Sequence, residues 1–260
     1  MHEDGAREAT GCAIAVMAKA SIPGRTKTRL TPLLTPEQAA DLNTAFLRDA
    51  ADNLLAAASL ADIRPWMAYA PAGTRDFFAR TLPDRVGLLE TVAPDFGACL
   101  FHAAASLLEA GHGSVCLLNS DSPTLPIGYL VSASVALAAP GDRVVLGPAT
   151  DGGYYLIGIK RPHRPLFEEI DWSTERVFRQ TLARADGLDL PVVKLPSWYD
   201  VDDADALRTL IGEVIDGLPF RTVGATPTPA TSTRRHLLRL LETTDLAPSL
   251  DRATRSSLVA

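Results

Sequence analysis

Apolar runs at Ala13 to Met17, Pro65 to Tyr69, Val86 to Glu90, Ser114 to Leu118, Arg143 to Leu146, Tyr154 to Ile159 and Val192 to Leu195 are short and bounded by turn-forming residues, which predicts strands. Between them, apolar positions recur at helical spacing over about Glu37 to Ser59, Arg75 to Leu82, Gly97 to Ala110, Ile127 to Leu137, Glu175 to Ala185 and Ala204 to Ile215. Thr35, Pro36 and Gln38 form a capping-box start for the first helix. Ser173 and Gly187 bracket the fifth. Strands alternating with helices predict a mainly parallel sheet covered on both faces, with ligands beyond the carboxyl ends of its strands.

The ends read differently. Residues 1–10 are polar and expected to be disordered, residues 11–220 form the domain, and 221–233, rich in Thr, Pro and Ala, reads as a linker. Within the remaining 234–260, Arg234 to Leu241 is a short amphipathic helix whose leucines suit docking on the domain or on a second subunit of a homodimer. An apolar fraction of 47% over 260 residues can fill a sizeable core, and no apolar stretch is long enough to span a bilayer. No secretory signal pattern opens the chain, so a cytoplasmic location is expected. Cys12, Cys99 and Cys116 lack disulfide or zinc spacing and should pack as small hydrophobes.

Charge changes the picture in one place. The chain carries a formal net charge of -6, yet Lys19, Arg25, Lys27 and Arg29 crowd the loop after the first strand. Gly24 would let backbone approach a ligand, the arginines suit forked contacts to phosphate oxygens, and Lys27 supplies a point charge. The expectation is that Arg25, Lys27 and Arg29 bind phosphate rather than protein carboxylates. The loop matches neither the P-loop string nor the dinucleotide-binding glycine pattern, which disfavours nucleoside-triphosphate hydrolases and dehydrogenases. Nothing points to nucleic acid or a membrane as partner.

Three further clusters fall on the same predicted sheet edge. Asp121 follows the strand Ser114 to Leu118 and could hold Mg²⁺ or Mn²⁺ on phosphate oxygens, although Asp-Ser-Pro is also an ordinary turn. In Tyr199-Asp-Val-Asp-Asp, alternation puts Asp200 and Asp202 on one side while Asp203 caps the next helix. Asp151-Gly152-Gly153 reads as a hairpin turn, or as a place where backbone and Asp151 meet a substrate. Trp172, with Ser173 and Thr174, offers an apolar platform for an acceptor or a staple before the fifth helix.

Lys19 to Leu30, Asp121-Ser-Pro-Thr-Leu-Pro, Gly147 to Gly158, Trp172-Ser-Thr-Glu-Arg-Val and Tyr199-Asp-Val-Asp together resemble the DUF2064 family, the glycosyltransferase-A-like transferases associated with radical-SAM and selenodomain proteins. That family is similar to the nucleotide-diphospho-sugar transferase superfamily, including the molybdenum-cofactor and phospholactate guanylyltransferases. The resemblance implies a three-layer α/β/α GT-A fold with a mainly parallel, mixed sheet. It also implies that Asp121 and Asp202 complete one Mg²⁺ or Mn²⁺ site. The chain departs from the family pattern at Ala98-Cys99-Leu100, at Asp203-Ala204 and at Ser21.

The reading that follows is a metal-dependent nucleotidyltransferase. It joins a nucleoside monophosphate from a triphosphate to a phosphorylated small molecule, while Arg25, Lys27 and Arg29 stabilise departing pyrophosphate. The alternative is a glycosyltransferase using a nucleotide-diphospho-sugar, with its acceptor beside Asp151, Gly152, Gly153 and Trp172. A third reading is a nucleotide-binding module without turnover, for which the departure at Ala98 to Leu100 is the support.

Overall fold

In the computed structural model, which describes residues 11–218, 220 and 226–250, each predicted strand is found within about two residues of its expected ends. They are β1 (Cys12–Lys19), β2 (Ile63–Ala70), β3 (Gly87–Glu90), β4 (Ser114–Leu118), β5 (Val144–Pro148), β6 (Tyr154–Ile159) and β7 (Val192–Lys194). Together they form one sheet in the order β3-β2-β1-β4-β6-β5-β7. All pairings are parallel except those of β6, which runs antiparallel to both β4 and β5. The turn at Asp151 makes β5 and β6 a hairpin, as its Asp-Gly signal predicts.

The helices are α1 (Pro36–Ala58), α2 (Arg75–Thr81), α3 (Phe96–Glu109), α4 (Ile127–Ala138), α5 (Val177–Asp186), α6 (Ala204–Val214) and α7 (Thr231–Thr243). In α1 the capping box closes, with the Gln38 amide donating to the Thr35 hydroxyl at 3.2 Å and the Thr35 amide donating to Gln38 Oε1 at 2.8 Å. Asp203 caps α6 through the Ala206 amide at 2.9 Å. Ser173 is not the cap of α5: the helix begins at Val177, and Ser173 sits in the left-handed region with φ 64°.

Alternation along β1 builds two cores. Cys12, Ile14 and Val16 face α1, α4, α6 and α7, whereas Ala13 and Ala15 face α3 and α5. Cys12 and Cys116 pack in the first core as free thiols, and Cys99 is also free. Among the described residues no helix is long and apolar enough to cross a membrane. The expected disorder of residues 1–10 concerns a stretch outside the described residues.

Part of the stretch read as a linker is described, and it is held on the domain. Thr228 donates its amide to the Thr124 carbonyl at 3.0 Å and its hydroxyl to the Pro123 carbonyl at 3.0 Å, and it accepts from Asn53 Nδ2 at 3.1 Å. Beyond it, α7 runs longer than predicted and buries Leu237 and Leu240 against the core that includes α1. Its first turn is capped from outside: the buried Asp49 carboxylate of α1 accepts from the amides of Ser232 at 2.8 Å and Thr233 at 2.7 Å. Residues 221–225 lie outside the description.

Candidate active site

Strand direction brings the sequence clusters to one edge. The carboxyl ends of β1, β4 and β5 and the amino end of antiparallel β6 meet there, and the order β2-β1-β4 puts the switch of chain direction between β1 and β4. Asp121 leaves β4 and is tied by its backbone to the acidic segment, because the Val201 amide donates to the Asp121 carbonyl at 2.9 Å. Ser122 reinforces the link through its hydroxyl, which donates to the Tyr199 carbonyl at 2.8 Å.

At the centre stands Lys27. Its ammonium donates to Asp202 Oδ1 at 3.0 Å and to the Val201 carbonyl at 2.7 Å, and it forms an ion pair with Asp121 Oδ1 at 2.8 Å. The side chain is 4% exposed and lies 5.2 Å from the centre of the Phe46 ring. Burial alone would push this amine down, but the charges of Asp121 and Asp202 outweigh it and hold the group above its ordinary value. Lys27 adopts φ 52°, a left-handed conformation uncommon outside glycine, at the entry to the 3₁₀ turn Thr28–Leu30. The expectation that Lys27 avoids protein carboxylates is therefore corrected. The partners lie far away in sequence, and the fold closes them around the amine.

The remaining cations stay outward. Lys19, Arg25 and Arg29 are exposed, and Arg29 approaches Asp202 Oδ2 only at 4.0 Å. With Lys27, Thr28, Asn43 and the edge residues Asn119, Asp121 and Asp202, they line a depression of about 470 Å³. Gly24 has φ 74° and open space where a Cβ would stand, so its backbone turns freely in the exposed loop.

A second depression of about 210 Å³ continues past Asp121 and Asp202 toward β6. Asp151, Asp200, Tyr154, Trp172, Ser173 and Thr174 line it, and Phe96, Asn119 and Ser173 belong to both depressions. Trp172 packs edge-on against Phe96 with ring centres 5.2 Å apart. Gly97 makes that packing feasible, since a Cβ there would come 2.8 Å from Trp172 Nε1 and 2.3 Å from the Phe167 carbonyl. Gly152 is likewise needed for fit: at φ 90°, a Cβ would meet the Glu175 carbonyl at 2.4 Å. Gly153 donates its amide to Asp151 Oδ1 at 2.8 Å and closes the hairpin turn.

The Asp200 carboxyl is pushed up to about 7, first by burial and then by the charges of Asp151, Asp202 and Asp121. Its environment is the site feature least legible in the sequence. In the sequence Asp200 is one of two alternating acids with Asp202, and the fold adds Asp151 and Asp121 as neighbours.

The fit to a divalent cation can be judged from these charges. Asp121 and Asp202 pair with the buried Lys27 ammonium, Arg29 reaches Asp202 only at 4.0 Å, and Asp200 is left among acids that push its carboxyl up. Among the described residues no ready-made group of three acid, His or Cys side chains forms a metal cage. A hard ion such as Mg²⁺ needs only one or two carboxylates when substrate phosphates complete its shell. The convergence of Asp121 and Asp202 at one ammonium suits that demand.

The mixed, mostly parallel seven-stranded sheet with its helices matches the fold of nucleotide-diphospho-sugar transferase structures. Residues 50–174 match the DUF2064 family, described as an uncharacterized protein conserved in bacteria. That span holds Asp121, Asp151 and Trp172, whereas the cationic loop and Asp202 lie outside it. A crystal structure from Desulfovibrio desulfuricans G20, provisionally assigned as a nucleotide-diphospho-sugar transferase, is 26% identical with a TM-score of 0.75, covering 89% of this chain and 95% of that one. A cytidylyltransferase from Leptospira borgpetersenii shares the fold at 13% identity and a TM-score of 0.51, over 93% of this chain and 96% of that one. CMP:2-keto-3-deoxy-manno-octonic acid synthetase with CTP does so at 11% identity and a TM-score of 0.50, over 80% of this chain and 100% of that one. A search of curated proteins finds no match.

Proposed function

We propose that this protein transfers a nucleoside monophosphate from a nucleoside triphosphate to a small acceptor, with release of pyrophosphate. The observation that carries the reading is the division of one continuous cleft into a cationic side at β1 and an acidic, aromatic side at β6, with Asp121 and Asp202 between them. A triphosphate laid along Lys19, Arg25 and Arg29 would put its leaving phosphates against mobile cations and its α-phosphate near the divide. Lys27 then acts differently from its neighbours, by fixing the two carboxylates at one point so that they need not reorganise during reaction.

Asp121 and Asp202 would hold a divalent ion, which when bound neutralises charge on phosphate oxygens. The chain's own residues do the rest. Phe96 and Trp172 wall off the acceptor side, and the arginines receive the charge that moves to pyrophosphate. The likeness to a cytidylyltransferase and to a synthetase crystallised with CTP supports this choice at the level of fold.

Glycosyl transfer from a nucleotide-diphospho-sugar is the second reading. Engagement of the buried Lys27 ammonium by three protein oxygens favours it, because fewer cations then remain for a triphosphate. A melting-point screen with nucleoside triphosphates, nucleoside diphosphates and nucleotide sugars, each with and without Mg²⁺, separates the two. Stabilisation by a triphosphate, and pyrophosphate-reversible transfer, is the expected result. Selective stabilisation by a nucleotide sugar, with none by any triphosphate, sinks the first reading.

A further inference from the structure

We infer that the β6-side depression takes an acceptor without phosphate or other anionic groups: a polyhydroxylated or amino-bearing ring compound that offers a hydroxyl or amine for transfer. This replaces the phosphorylated small molecule that the sequence leads one to expect as acceptor. The inference rests on the transferase reading for the role of the bound compound, but not for its charge.

The lining carries the case. Asp121, Asp151, Asp200 and Asp202 all border the depression, while no Lys, Arg or His does. A phosphate monoester reaching Asp151 and Asp200 would give up its water beside carboxylates with no Lys, Arg or His of the lining to replace it, since Lys27 and any ion held by Asp121 and Asp202 belong to the border with the cationic depression. Hydroxyls and ammonium groups have the opposite preference, since carboxylates only accept hydrogen bonds. Two further groups want partners: the Tyr154 phenol and the Asn119 amide oxygen lie in the wall, buried and without a hydrogen bond among the described residues.

Shape agrees with chemistry. The volume of about 210 Å³ corresponds to about seven water molecules, room for a single ring. Phe96 and Trp172 meet edge to face at its border and give that ring an apolar wall. Ser173 holds the left-handed conformation at φ 64° next to this wall, a strained backbone of the kind that gathers at ligand sites. In the transfer step the acceptor oxygen bonds to the α-phosphorus, and the bond from that phosphorus to the bridging oxygen breaks. Its electron pair leaves on pyrophosphate, and the hydroxyl proton passes to a carboxylate of the lining.

The test needs no knowledge of the natural acceptor. Matched probes are compared by saturation-transfer NMR on the ligand-free protein at millimolar concentration: glucose, glucosamine and myo-inositol against glucose 1-phosphate, glucosamine 6-phosphate and myo-inositol 1-phosphate. Neutral or aminated members should bind at least tenfold tighter than their phosphorylated partners. In the Asp151→Lys variant that order should reverse, whereas Asp151→Asn, which removes the charge but can keep the turn bond to Gly153, should only narrow the gap. Phosphorylated members binding as well in the unaltered protein, or no neutral or aminated member binding, overturns the inference. So does displacement of the bound neutral probe by a free nucleoside, which would make the depression a base pocket. Nucleotide stabilisation is read separately, so a loss of the transferase reading is not confused with a wrong acceptor class.

Discussion

Across the divide at Asp121 and Asp202, the β1 side presents Lys19, Arg25 and Arg29 to solvent, and the β6 side presents Asp151 and Asp200 beside aromatic rings. Lys27 belongs to the first side by sequence and to the divide by contact, buried between the two carboxylates. Exposure sorts the charges by task. In the proposed reaction, cations left in water would keep their freedom to follow a mobile polyphosphate, while the one taken out of water holds the acids in place. Net charge or local charge density alone does not reveal that split.

The comparison is most easily broken at the divide. Asp121→Asn and Asp202→Asn should each weaken Mg²⁺-dependent triphosphate binding on the order of 100-fold, about 2.7 kcal/mol, with the fold retained by circular dichroism. Undiminished Mg²⁺-dependent stabilisation by triphosphate in both variants would detach the acids from the nucleotide.

Lys27→Met probes the buried cation next. Asp121 and Asp202 are 27% and 41% exposed, so water can partly replace the lost ammonium, and the ligand-free protein should lose about 1 to 3 kcal/mol in denaturant unfolding. An unchanged unfolding midpoint with lost triphosphate affinity would return Lys27 to the phosphate-binding set.

A pH series sharpens the acidic side. Asp200 holds its proton up to about pH 7 when folded but ionises near 4 when unfolded, so the folded state binds more protons in between. Its contribution to stability is present below pH 4 and is lost as pH rises toward 7. Relative to the unaltered protein, Asp200→Asn should therefore gain stability over that window, on the order of 1 to 2 kcal/mol after discount for partial exposure. Parallel stability curves for the two proteins would show that the carboxyl is not held in its acid form.

The smallest effect belongs to the exposed loop. Arg25→Ala should leave ligand-free stability unchanged and weaken triphosphate binding about fivefold, near 1 kcal/mol, by isothermal titration. A loss of folding stability there would show that the loop arginine is structural.

Local signals explain why the layers were readable. Thr35, Pro36 and Gln38 act within one turn, and the alternation of β1 is carried by adjacent residues. Asp121 and Asp202 could be placed on one edge because strand ends in a parallel sheet share it. What escaped depends on distance along the chain. The pairing of Lys27 with Asp121 and Asp202, the crowding of Asp200 by Asp151, and the Asp49 cap on α7 all join segments whose local patterns carry no mark of one another. Ser173 misled for a different reason: its residue type suits a cap, but its backbone is committed to the bend beside Trp172.

The Asp49 cap and the Thr228 clasp also set an order of events during synthesis. Thr228 secures the Pro123 and Thr124 carbonyls just beyond Asp121, and Thr124 donates in turn to the Tyr199 hydroxyl at 3.1 Å. A ribosome-bound chain that has released only the seven strands and six helices already holds every charged residue of the cleft. It still lacks the brace behind them, and Asp49 has no amides to receive its buried charge. Residues from Thr228 through α7 thus supply the brace and the cap together, and a chain stopped before Thr228 should keep the charged residues of the cleft but lack both.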